Sequence, residues 1–135
     1  MVESSYIHSD DLTEDDIPVT TVTPQDMNMM TTGYDFEGYK IKKYMGVVSG
    51  QTVLGTGFLS EFTASFSDFF GVQSKKFARK LEQAKLSAVK KMVAKSKVRG
   101  GNAIIGVDFD YMTFHSNVIG IVANGTSVVI EECDL

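Results

Sequence analysis

Asp108 and Asp110 stand two residues apart in the run from Val107 to Tyr111. If that run is extended, both carboxylates leave one face, roughly 7 Å apart. A pair so placed can hold a hard cation through oxygen, or divide acid and base roles between two carboxyl groups. The plainer alternative is pairing with lysines or backbone amides of a neighbouring subunit, or simple hydration. The softer donors are few: His8, His115 and Cys133 are the whole inventory. Transition metals want thiolate and imidazole at clustered positions. His8 and Cys133 lie near the two ends, which leaves His115 as the metal-ligand candidate in the body of the chain. By strand alternation it falls on the Val107 and Phe109 side, opposite the two aspartates. A single cysteine also excludes an intrachain disulfide.

Motifs for group transfer are missing. The chain has no Gly-x-Ser-x-Gly elbow, no phosphate-loop lysine and no His-x-x-x-His pair. Gly55-Thr56-Gly57 lacks the third glycine and the following lysine of a phosphate loop, so it is read as a turn that ends a strand. No cofactor is implied, and the expectation is a protein that is not an enzyme.

The elements that must position these residues belong to one domain, the size expected of 135 residues and 14.8 kDa. The chain is 43% hydrophobic, 10% aromatic and 22% charged, which is a globular composition. No run approaches the ~18–20 apolar residues of a membrane helix. With no apolar leader and one cysteine, the expected home is the cytoplasm. The net charge of −4 conceals an asymmetry. Residues 1–30 carry seven acids and no lysine or arginine, and are read as a disordered acidic tail. Met27, Met29 and Met30 are either an apolar anchor for the end of that tail or merely linker. Residues 31–131 form the domain, and 132–135 make a short acidic end.

Within the domain, 41–54 is β-rich. Ser49-Gly50 is read as either a bend inside one strand or a hairpin turn. Phe58, Phe62, Phe66, Phe69 and Phe70 recur at helical spacing and predict a short amphipathic helix over 58–70. Ser74 is the expected N-cap of a second helix, 75–99, which buries Phe77, Leu81, Ala84, Ala88 and Met92. Lys75, Lys76, Arg79, Lys80, Lys90, Lys91 and Lys97 form its basic face. Leu86, Val89 and Val93 make a second apolar strip that one small sheet does not need. This helix should therefore also touch the first helix or a neighbouring subunit, and the three are candidates for an oligomer interface. Gly100 and Gly101 end the helix. A strand over 103–114 follows, with Asp108, Asp110 and Met112 on one face. The last strand spans 118–130, with Asn124-Gly125 as either a hairpin turn or a bulge.

The strings GVVSGQTVLG (46–55), SDFFG (67–71), GGNAIIGVDFDY (100–111) and GTSVVIE (125–131) resemble the UPF0145, or YbjQ, family over about residues 31–131. Its members are often labelled heavy-metal-binding. The resemblance implies an α+β domain of order β-α-α-β-β, a small curved antiparallel sheet covered by two helices, assembled into pentameric rings. Ser60 and Ser67 stand where relatives tend to have arginine. Gly71-Val72-Gln73-Ser74 replaces a Gly-Gly-Arg-Ser turn, and Met112 replaces a glutamate. The expectation is a homo-oligomeric ring that binds a small ligand or cation in its interior or at its interfaces. The rival is an interaction module whose basic helix engages an acidic partner, gated by the acidic tail. Nucleic acid is not the expected partner, because the basic face lacks interleaved aromatics for base stacking.

Overall fold

The computed structural model describes residues 17–54, 72–114 and 118–134. Its elements are a 3-10 turn at Val19–Thr21, helix α1 at Pro24–Asn28, strand β1 at Tyr39–Leu54, helix α2 at Val72–Val98, and strands β2 at Ala103–Phe114 and β3 at Val118–Glu132. The three strands form one antiparallel sheet in the order β1-β3-β2, with α2 packed across it. This is an α+β arrangement. The expected phenylalanine helix over 58–70 lies outside the described residues.

β1 runs unbroken for 16 residues, with no turn at Ser49-Gly50. Its irregularities fall earlier, between Ile41 and Lys43 and between Tyr44 and Gly46, where Gly46 has a φ of 102°. Gly50 serves packing instead: a Cβ there would land on the Ala88 carbonyl oxygen and lie 2.6 Å from the Met92 nitrogen. The backbone of α2 therefore rests directly on β1.

Asn124-Gly125 likewise makes no turn. Asn124 faces Ser49 on one side and Asp108 on the other, so both sheet neighbours hold β3 straight. The irregularity sits on β2, where pairing jumps from Ile105 to Asp108 around Gly106, whose φ is 63°. A hairpin signal is local, and two flanking strands override it.

α2 begins at Val72, so Ser74 lies inside the helix and is not its cap. The end is as expected. The Gly100 amide donates to the Lys97 carbonyl at 3.0 Å and the Gly101 amide to the Ser96 carbonyl at 2.9 Å, a Schellman closure with Gly100 at φ 93°.

Val48, Ala84, Ala88, Val89, Met92, Val93, Ile104, Ile121 and Ala123 form the core between α2 and the sheet. Ala103, Ile105, Val128 and Ile130 form a second cluster, with Met29, Phe36, Tyr39 and Ile41 packed on it. Strand alternation places this cluster on the opposite face of the sheet.

Residues 17–30, read from the sequence as tail, fold onto the domain. Val22, Met27 and Met30 pack against the first cluster and Met29 against the second, so the methionines are an anchor. Residues 29–33 then run along β2. Ile104 N–H donates to the Met29 carbonyl and Thr31 N–H to the Ile104 carbonyl, while Gly106 and Val107 N–H donate to Gly33 and Thr31. The domain boundary therefore lies before Thr31.

Candidate functional site

Asp108 and Asp110 are both exposed, on the face of the sheet turned away from α2. Val107 and Phe109 pack against the core, as alternation requires. Asn124, directly opposite Asp108 on β3, donates from Nδ2 to Asp110 Oδ2 at 3.0 Å. The two aspartates and the amide thus form one polar row across β2 and β3, with Ser49 of β1 next in register. Around it stand Val47, Val53 and Met112, which are 69%, 61% and 44% exposed. Phe36 and its neighbours cover only the other end of this face.

The second apolar strip of α2 is not a free surface. Val89 and Val93 are 7% and 3% exposed and belong to the core of the single chain, while Leu86 remains 47% exposed. The sequence reading looked to the first helix or a neighbouring subunit for the cover beyond the sheet. The segment 17–30 supplies one, because Val22, Met27 and Met30 pack against the cluster that holds Val89 and Val93.

The basic face is partly spent on the fold. Lys97 Nζ donates to Asp26 Oδ2 and to the Thr21 carbonyl, both at 2.8 Å. Lys91 Nζ reaches the Gln51 carbonyl at 2.8 Å, and Arg99 reaches that of Val47 at 2.7 Å. Both acceptors lie on β1, an edge strand, and long basic side chains along such an edge hinder pairing with another chain. Lys85 sits 4.7 Å above the Phe109 ring. Lys75, Lys76, Arg79 and Lys80 are exposed, and Lys90 is half-buried.

A cleft of about 260 Å³ lies where the N-terminal segment meets the end of α2, lined by Asp26, Val93, Lys97, Gly101, Asn102 and Ile104 among others. The sequence reading passed over it. The lining residues have structural duties. Gly101 admits Ser96 and Ser127, whose hydroxyls pair at 2.6 Å, because a Cβ would strike both. Asn102 pairs with both backbone groups of Ile130, at 3.0 and 2.8 Å. Thr23 and Asp26 form a reciprocal capping box at the start of α1.

The Lys97 hydrogen bond, followed by that from the Thr23 backbone, lowers the Asp26 pKa from 3.8 to about 2. A depressed carboxylate pKa stabilises the fold above its unfolded value and loses that contribution as pH falls through its folded one. The anchor of residues 17–30 should therefore hold above about pH 4 and loosen as pH falls toward 2. Carboxyl NMR titration should find the Asp26 midpoint near 2. Lys97→Met should move it back up toward 3.8; an unmoved midpoint would contradict the assigned cause.

A family model described as "Putative heavy-metal-binding" matches residues 28–131. The chain belongs to the UPF0145 family. A UPF0145 protein of Anoxybacillus flavithermus is 38% identical over 104 residues, covering 77% of this chain and 99% of the relative. Another, of Carboxydothermus hydrogenoformans, is 35% identical over 103 residues, covering 76% and 96%. A solved structure from Pediococcus pentosaceus, of unknown function and assigned to the DUF74 family, shares the fold with a TM-score of 0.51. It is 18% identical and covers 76% of this chain and 96% of its own.

The described residues of this UPF0145 chain gather no cluster of donors for the metal in the family's description. Heavy metals require thiolate and imidazole ligands in a cluster. Among the described residues no three His, Cys, Asp or Glu side chains gather, and Cys133 is exposed beyond β3. His115 and His8 lie outside the described residues. No helix of the described residues is long and apolar enough to cross a membrane.

Proposed function

We propose that this UPF0145 protein is a non-enzymatic, cytoplasmic subunit that associates with copies of itself into a ring, a pentamer as the family resemblance implies. The subunits meet over the uncovered end of the sheet and hold a small ligand or cation there beside Asp108 and Asp110. The observation that supports this reading is the sheet face that the described residues leave uncovered, where Val47, Val53 and Met112 stand exposed beside the row of Asp108, Asp110 and Asn124. Large apolar side chains left exposed together on one sheet face favour an interaction surface. The oxygen-only donors suit a hard cation or a polar ligand better than a soft metal.

Native mass spectrometry of protein purified from its own host tests both halves. The expected main species is five times the 14.8 kDa chain, with retained ligand mass. Val47→Lys with Val53→Lys should yield monomers of unchanged circular dichroism. Asp108→Asn with Asp110→Asn should keep the ring and lose the ligand. A wild-type monomer at micromolar concentration would refute the assembly, and a ring that carries no ligand would refute the binding role.

A further inference from the structure

We propose that the acidic segment 1–16 docks along one stripe of basic residues on α2 of its own chain and masks that stripe from other polyanions. The track already begins within the described residues. Lys97 holds the N-terminal segment at two points, the Asp26 carboxylate and the Thr21 carbonyl. At about 100° per residue, Lys97 shares its helical stripe with Lys90, Arg79 and Lys75, at separations of 7, 11 and 4 residues. Leu86 lies on the same stripe and is still half exposed. Toward the end of α2 the adjoining Val89 and Val93 are buried, in the cluster that Val22 and Met27 cover. A segment continuous with residue 17 is placed to extend this cover farther toward the start of α2.

Charge and length select residues 1–16. They hold Glu3, Asp10, Asp11, Glu14, Asp15 and Asp16 with no lysine or arginine. Residues 75–99 hold ten basic residues against one acid, Glu82, so the helix cannot balance its own charge. Lys97 and Lys75 are separated by about 33 Å along the axis at 1.5 Å per residue. Sixteen extended residues reach roughly 50 Å. Leu12 offers an apolar side chain for Leu86. Each exposed ion pair contributes only about 0–1 kcal/mol, so tethering makes the contact effective and salt weakens it.

The test uses the full chain and an isotopically distinguishable copy of it. Carbodiimide cross-linking at low salt should join carboxylates of residues 10–16 to Lys75 or Lys90 within one chain, and 0.5 M NaCl, where the Debye length is only about 4 Å, should abolish the links. Replacing Asp10, Asp11, Asp15 and Asp16 by Asn and Glu14 by Gln should tighten heparin binding about threefold at low salt, the gain expected from removing a weak tethered competitor. Replacing only Asp10, Asp11 and Asp15 should still tighten heparin binding more than neutralising Glu131, Glu132 and Asp134, which removes the same number of charges. Missing links, links only between copies, or equal effects of the two triple replacements would each overturn the proposal.

Discussion

Gly50→Ala should destabilise the domain by about 3 kcal/mol or leave it unfolded, the upper end of what overpacking costs. The added Cβ would occupy the place of the Ala88 carbonyl oxygen, would stand 2.6 Å from the Met92 nitrogen, and would press on Lys91 Cβ at 2.9 Å. Two of these three neighbours are helix backbone, which cannot swing aside as a side chain does. The helix must lift from β1, and lifting it opens the cluster of Val48, Ala88, Met92 and Ile121, all at most 1% exposed. Urea unfolding provides the measurement: the midpoint should fall sharply while the slope stays constant. Gly33→Ala is the control, since its Cβ would meet only Thr31 Oγ1, at 3.5 Å. Comparable losses in the two variants would show that α2 does not ride on Gly50.

Gly50 also shows where sequence and structure part. A glycine between Ser49 and Gln51 signals a turn when only its neighbours are considered. Its actual reason, a helix about 40 residues later pressed against it, is a long-range contact that no local pattern carries. The same holds at Asn124-Gly125, where pairing to both β1 and β2 overrides a dipeptide that makes hairpins in isolation. Periodicity, by contrast, is carried by every residue of an element. It placed β2, most of α2 and the shared face of Asp108 and Asp110 without help.

The misreading of residues 17–30 has a different origin. Acidic composition and two prolines outweighed a signal that was present: Thr23-Pro24-Gln25-Asp26 is a helix start, with a capping side chain, proline at the first position and an acid at the third. Once that turn is formed, Asp26 meets Lys97 and Met27 meets the core, so a charged stretch becomes part of the fold. The cleft was missed with it, because it exists only between this segment and the end of α2.

Val93 and Leu86 turn that misreading into a measurement. As a free strip they would report on assembly together, and a charge at either would dissociate subunits. The structure separates them: Val93 is 3% exposed in the core and Leu86 is 47% exposed. Val93→Glu should therefore destabilise the chain itself by about 3–5 kcal/mol, the cost of a buried charge with no partner. Leu86→Glu should stay within about 0.5 kcal/mol of wild type. Its new carboxylate would stand four residues before Lys90, the favourable order for an ion pair on a helix. Circular dichroism melts and light scattering on the same samples separate folding from assembly. Val93→Glu should lose its cooperative melt, while Leu86→Glu should keep both its melt and its size. A folded, monomeric Val93→Glu protein would instead return Val93 to a subunit interface, and residues 17–30 could not then be its cover.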